Sequence, residues 1–205
     1  MPYYKAVNLL FIHIPKTGGT VIEQQIKEQH KQTLRAPNSN ILPSPFNHIS
    51  LQHQFYTTIY KFKDKLNVNF DNIKIFSVVR NPYDRIISDL FFLRLIKPNF
   101  SSEQVCNIIK NNYINRDDID NHNKPQYKYI TDENKNIISN IKIFHCEKLN
   151  KINKQLNEFI GFNINIIKKN VNKDYSKYLN KESIKIINDY YKKDFELFNY
   201  PLIKI

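Results

Sequence analysis

The chain has 205 residues, which fits one domain covering residues 1–205 and large enough to bury roughly 70% of its unfolded surface. With 41% hydrophobic residues it is not a disordered polymer, and its 31 Lys and Arg against 19 Asp and Glu give a net charge of +12, which favours anionic partners. No run approaches the ~18 apolar residues of a membrane span and no signal-peptide core follows Met1–Lys5, so the chain reads as soluble and intracellular with no membrane anchor, and Cys106 and Cys146 are too few and too distant for a disulfide framework or a metal-ligand pattern.

Asn8 to Ile14 is a short apolar run suited to a buried strand. Pro15-Lys16-Thr17-Gly18-Gly19-Thr20 follows, and it holds two of the chain's three glycines. Adjacent glycines in so glycine-poor a chain point to a backbone that something approaches closely. Val21, Ile22, Gln25, Ile26 and Gln29 then recur with helical spacing, so the order is strand, tight loop, helix. A helix start leaves about four N–H groups unpaired and carries roughly half a positive charge. Lys16 adds a full charge beside them, which makes this an anion-binding corner. It is not a Walker loop, because Lys16 precedes the glycines.

From Thr33 to Ser50 the prolines Pro37, Pro43 and Pro45 mark a loop, after which Leu51 to Phe62 has helical character. His48 ends that loop and suits a general base near neutral pH. His53 is its rival, and His13 reads as a satisfied strand histidine. Lys74–Val79 is β-branched and aromatic, the second strand. It runs into Arg80-Asn81-Pro82-Tyr83-Asp84-Arg85, where Asn81 is an N-cap, Pro82 the first helical residue and Asp84 a carboxylate in the first turn. On this helix Ile86, Ile87, Leu90 and Phe91 form an apolar arc, with Asp84, Arg85 and Ser88 opposite; Arg85 is expected in a surface pair with Asp84 or Asp89. Ser102 is a candidate cap for a helix reaching about Asn112. Asp117, Asp118 and Asp120 lack a complete calcium-loop spacing and read as a solvated turn. A third strand spans Asn140 to Phe144 and leads through His145–Leu149 into a helix to about Phe159 with Gly161 closing it, and Ile184, Ile187, Tyr191, Phe195 and Phe198 trace the inner face of a final helix.

Ile14-Pro15-Lys16-Thr17-Gly18-Gly19-Thr20 resembles the 5′-phosphosulfate loop of sulfotransferases that use 3′-phosphoadenosine 5′-phosphosulfate (PAPS), and Arg80-Asn81-Pro82-Tyr83-Asp84-Arg85-x-x-Ser88 resembles their 3′-phosphate element. The nearest likeness is to the carbohydrate type, the relatives of heparan 2-O-sulfotransferase and chondroitin sulfotransferases. The resemblance implies that Lys16, Thr17, Gly18, Gly19, Thr20 and Val21 hold the 5′ end of PAPS and that Arg80 and Ser88 hold its 3′-phosphate. It makes Lys173 a weaker phosphate contact, places a histidine base at His48, and sets His53, His122, Lys124 and Gln126 on the acceptor side. His122-Asn123-Lys124-Pro125-Gln126 is similar to a His-x-x-Pro-Gln element of the family, and Tyr191 to Tyr200 to its ending.

Alternating strands and helices predict an α/β domain with a mainly parallel sheet, with ligand outside the carboxyl ends of the strands. The expected function is metal-free transfer of the sulfuryl group of PAPS to a hydroxyl, on a carbohydrate or acidic glycan, with Lys16 neutralising charge on the leaving phosphate. A phosphoryl transferase needs a Walker loop and magnesium-binding acids that the sequence does not show. A non-catalytic polyanion or nucleic-acid binder accounts for the charge but predicts no selectivity for a 3′-phosphate.

Overall fold

The structure, a computed structural model, describes residues 2–32, 34, 41–166 and 175–205. At its centre lie four strands, β1 (Tyr3–Tyr4), β2 (Leu9–Ile12), β3 (Lys74–Val79) and β4 (Ile141–His145), adjacent in that order. β1 is antiparallel to β2, while β2, β3 and β4 are parallel, with Phe11 opposite Phe76 and Val79 opposite His145. Around them are the helices α1 (Gly19–Lys27), α2 (Tyr56–Lys61), α3 (Lys63–Leu66), α4 (Pro82–Phe92), α5 (Ser102–Ile108), α6 (Asn153–Ile160), α7 (Lys181–Tyr190) and α8 (Lys192–Leu197). This is the expected fold class, a single α/β domain with a mostly parallel sheet.

The parallel strands are buried on both faces, and their period of two divides the apolar side chains between two cores. Leu10, Ile12, Ile75 and Val79 face one with Ile59 of α2 and Leu66 of α3. Leu9, Phe11, Phe76, Val78 and Phe144 face the other, closed by Ile22 and Ile26 of α1 and by Leu156 and Ile160 of α6. Ile86, Ile87 and Leu90 of α4 build a third core with Val105, Ile187, Tyr191 and Phe195. Because β2 and β3 are parallel, the loops that follow them both leave the sheet at the carboxyl ends of its strands.

Several local readings differ from the sequence. β2 stops at Ile12, three residues short of Pro15, whose missing N–H cannot extend a ladder. Leu51 to Phe62 is a 3₁₀ turn, Leu51–His53, followed by α2 rather than one helix. Ser101, not Ser102, caps α5, in a reciprocal box with Gln104. Beyond Ile108 the chain widens into a π turn, Ile109–Tyr113. The segment after β4 is a 3₁₀ stretch, Cys146–Lys151, before α6, and Gly161 closes α6 with a left-handed φ of 90°. The final helix is two, because Tyr191 leaves helical geometry between α7 and α8. Asn81 caps α4 as expected, its side chain accepting from Tyr83 N at 3.0 Å with Pro82 in the first turn. Cys106 and Cys146 are both buried.

The largest correction is Arg85. It is 2% exposed and makes no surface pair. Its Nε donates to Pro15 O at 3.0 Å, and its two terminal nitrogens donate to Lys124 O at 3.0 Å and His122 O at 2.6 Å. Helical spacing alone put Arg85 on a polar arc; the loops that cover that arc supply carbonyl acceptors in place of water. Arg85→Met conserves bulk but strands three buried carbonyls. We expect it to lower unfolding stability by about 3 kcal/mol or more, read as a reduced urea midpoint at unchanged slope; a loss under about 1 kcal/mol would contradict this role.

Candidate active site

The residues that leave β2 and β3 enclose a cleft of about 280 Å³. Lys16, Gly18, Gly19 and Thr20 form one wall, and Arg80, Ser88 and Phe92 another. His13, His53 and His122 lie along it, with Gln52.

The loop wall is built for close approach. Gly18 is the N-cap of α1 with φ 89°, and no side chain caps that helix. A Cβ on Gly18 would lie 2.9 Å from Leu149, and one on Gly19 would lie 2.5 Å from the His13 ring. Only hydrogen fits at Gly19, so α1 begins with its backbone bare against the cleft. Thr17 is buried, and its hydroxyl donates to Ile14 O at 2.8 Å, bracing the turn; what it can offer a ligand is its backbone. Lys16 has a left-handed φ of 66° and its ammonium sits 4.0 Å from the centre of the Phe92 ring. Burial lowers the Lys16 pKa, Asp89 pulls it back up, and the charge of Arg80 lowers it further. Val21 points outward on α1 and does not line the cleft.

Arg80 is fixed from three sides. A guanidinium nitrogen donates to Lys16 O at 3.1 Å, and the backbone is clamped by Gln126, which accepts from Arg80 N at 2.9 Å and donates to Arg80 O at 2.8 Å. Gln126 is fully buried, so it is an internal brace and not an acceptor contact as expected. Asp194 of α8 accepts from the N–H groups of Gln126 and Tyr127, and burial raises its carboxyl to about 6 despite those bonds. Lys124 also differs from expectation: its ammonium pairs with Asp117 at 2.6 Å and it does not line the cleft. Ser88, two turns into α4, does line it. Lys173 lies outside the described residues.

The three cleft histidines share one arrangement. His13 Nδ1 faces the buried carboxylate of Glu23. His53 Nδ1 is 2.7 Å from Asp120, and His122 Nδ1 is 2.7 Å from Asp89, whose other oxygen accepts from the Tyr113 hydroxyl at 2.7 Å. An ionised carboxylate only accepts, so each Nδ1 carries the proton and donates it. His13 is boxed in, stacked on Phe11 and pressed against Gly19. His122 stacks in parallel with Phe92 at 5.5 Å. His53 stands edge-on between the two, 5.7 Å from His13 and 4.9 Å from His122 between ring centres. Burial lowers the His53 pKa to about 4, with Asp120 opposing and the other two histidines adding to the fall, so His53 is neutral at pH 7. Burial also works to raise the Asp89 carboxyl, but the hydrogen bond and charge of His122, with Tyr113 and Arg85, hold it below the ordinary range.

His48, the expected base, is exposed on the 3₁₀ turn Phe46–His48 and does not reach the cleft. The acidic turn is not uniformly solvated either. Asp117 and Asp118 pair with Lys124 and Arg116, whereas Asp120 turns inward to His53 and Ser50. A ring nitrogen from each of His53 and His122 and an oxygen of Asp120 lie within 4.8 Å of one another, a spacing from which a metal site could start. Both Asp120 oxygens are already taken, however: one accepts from Ser50 N at 2.6 Å, the other from Ser50 Oγ and His53 at 2.7 Å. Sequence reading missed Glu23, Asp89, Asp120, Gln52 and Phe92. Phe92 was within reach, since it lies four residues beyond Ser88 and so on the same helical face.

Among the described residues no helix is long and apolar enough to cross a membrane. Neither a search of curated proteins nor one of solved structures returns a match. A family model described as "Sulfotransferase family" matches residues 4–201, almost the whole chain and both strand-to-helix loops of the cleft. The chain therefore belongs to the sulfotransferase family, enzymes that transfer a sulfuryl group to an acceptor.

Proposed function

We propose that this enzyme takes the sulfuryl group from PAPS and delivers it to a carbohydrate hydroxyl, with His53 as base and no metal. The observation that carries the reading is that two separate anion-binding elements, the bare start of α1 and the Arg80–Ser88 pair, open on the same cleft as a neutral, carboxylate-held histidine. One phosphate site would fit many nucleotides; two suit a nucleotide phosphorylated at both ends.

The residues fit that donor. Gly18 and Gly19 let the loop pack tightly, since a Cβ on either would run into Leu149 or the His13 ring, and the N–H groups of Thr17 to Thr20 with Lys16 suit the 5′ end. Arg80 offers a guanidinium fork and Ser88 a hydroxyl to the 3′-phosphate. The donor supplies an electrophilic sulfur and an anionic leaving group. His53 Nε2 takes the proton from the acceptor hydroxyl as its oxygen attacks, and Lys16 stands where leaving-group charge grows. Preorganised donors of this kind contribute on the order of 3 kcal/mol each.

His53 replaces His48 as the proposed base on position, because only His53 lines the cleft. His122 and the exposed ring of Phe92, 58% accessible, are proposed to face the acceptor. A groove of about 430 Å³ lined by Phe46, Phe55 and Tyr127 supports a carbohydrate acceptor, since aromatic faces suit sugar rings; its charged lining is mixed, with Lys61, Lys128 and Lys135 beside Asp132 and Glu133. It is built from the two chain segments that also carry His53 and His122. Nucleic acid is not proposed as a partner.

Calorimetry tests the donor. The product nucleotide 3′,5′-ADP is expected to bind at least about tenfold more tightly than 5′-AMP. Arg80→Ala should remove that advantage, and Ser88→Ala, which disturbs no loop contact, should remove part of it. Equal, weak binding of both nucleotides would end the PAPS reading.

Transfer of radiolabelled sulfate from PAPS to desulfated heparan and chondroitin tests base and acceptor. His53→Ala is expected to lower turnover about 10²- to 10⁴-fold, while His48→Ala stays near the wild-type rate. The neutral imidazole is the active form and its pKa lies near 4, so kcat/KM should hold level as pH falls from 8 through 6.5 and decline only toward 4. An acid limb at the ordinary histidine value would exclude a buried His53 as base.

A further inference from the structure

Three consecutive residues all address His53. Asp120 accepts from its ring at Nδ1, Asn121 donates through its side chain to the His53 carbonyl at 3.1 Å, and the His122 ring stands edge-on to it. The backbone that presents them is unusual. Asp120 and Asn121 both adopt left-handed φ, 52° and 64°, which costs energy for any residue with a Cβ and is least unfavourable for Asp and Asn. Ser50, three residues before His53, then fixes the carboxylate by donating from its N–H to one oxygen and from its hydroxyl to the other. A carboxylate that served only to staple two loops would be satisfied by Ser50 alone.

We propose that Asp120 is a positioning residue for sulfuryl transfer, locking His53 in the tautomer that bears its proton on Nδ1 and leaves the Nε2 lone pair free for the acceptor hydroxyl. This rests on the assignment of His53 as base. When Nε2 takes the acceptor proton, the imidazolium keeps its Nδ1–H bond and Asp120 remains ionised, so positive charge forms beside a fixed negative one. In a site this buried that partnership offsets the cost of charging the ring. Glu23 and Asp89 hold their own histidines in the same way, but their carboxylates are 4% and 0% exposed, against 34% for Asp120. Asp120 is thus the most exposed of the three carboxylates, although the His53 ring is as buried as the other two.

Asp120→Asn is a sharp test because the amide can sit only one way round. Ser50 N–H must find an acceptor at the position of the first carboxylate oxygen, which puts the amide oxygen there and the NH₂ group against His53. His53 Nδ1 must then accept, and the ring proton moves to Nε2. Two-bond proton–nitrogen correlation spectra of ¹⁵N-histidine protein at pH 7 read this directly. The expected result is the Nδ1–H pattern for His53 in the wild type and the Nε2–H pattern in Asp120→Asn, with 3′,5′-ADP affinity unchanged and transfer to desulfated heparan or chondroitin reduced at least about hundredfold. An Nε2–H pattern in the wild type, or an unaltered Nδ1–H pattern in the variant, would overturn the proposal whatever the rates. The base assignment is judged separately by His53→Ala: if that variant transfers sulfate normally while Asp120→Asn switches the tautomer, Asp120 still orients His53 and the base lies elsewhere. If His53→Ala is inactive and Asp120→Asn keeps both tautomer and rate, Asp120 has no positioning role.

Discussion

The buried guanidinium of Arg85 is the contact on which the cleft depends. It ties α4 to the loop after β2 through Pro15 and to the segment carrying His122 and Lys124, three pieces of chain distant in sequence. Arginine suits the position because its planar fork can serve several carbonyls at fixed angles and its charge cannot be titrated away. Burying that charge without a directly bonded carboxylate is tolerable because three carbonyl dipoles point at it, with the ring of Tyr191 6.0 Å away. The two loops it joins carry Lys16 on one side and a cleft histidine on the other. Their separation is thus set by the reach of one side chain.

The cleft is also divided electrostatically. At one end Lys16 and Arg80 face the same space, and among the described residues neither forms an ion pair with a carboxylate, a concentration of positive charge that suits an anionic ligand. At the other end each histidine ring donates to its own carboxylate, so polar groups there are satisfied pairwise. The +12 net charge of the chain is a separate matter. Most of its lysines lie away from the cleft, and the charge that bears on chemistry comes from very few groups held by backbone carbonyls and caps.

What the sequence made readable was local. The strand, glycine loop and helix from Leu9 to Lys27, the strand and capped helix from Lys74 to Phe92, and the αL closure at Gly161 all follow from periodicity and capping within a few residues. Lys16, Gly18 and Gly19 were legible from their own turn, whereas Arg80 and Ser88 were picked out by the resemblance of their segment to a sulfotransferase element. Gln126 and Arg85 were misread because their partners are carbonyls and amides of distant segments, which no spacing rule reveals. The histidine partners Glu23, Asp89 and Asp120 escaped likewise: a carboxylate becomes an orienting group only when the fold brings a ring to it, 10, 33 and 67 residues away in these three cases.

The contact between Gly19 and the His13 ring separates the cleft into parts with different freedom to change. On one side the start of α1, the ring of His13 and the ring of Phe11 are packed one against the next with no room for a methyl group. Substitutions there are coupled, since each side chain sets the shape available to its neighbour. The neighbouring groove is bordered by irregular chain, the turn at Phe46–His48 and residues 131–135, whose length is not dictated by a helix or a strand. Insertions and substitutions in these surface segments can therefore accumulate over evolutionary time, or be grafted in, while the packed start of α1 stays as it is.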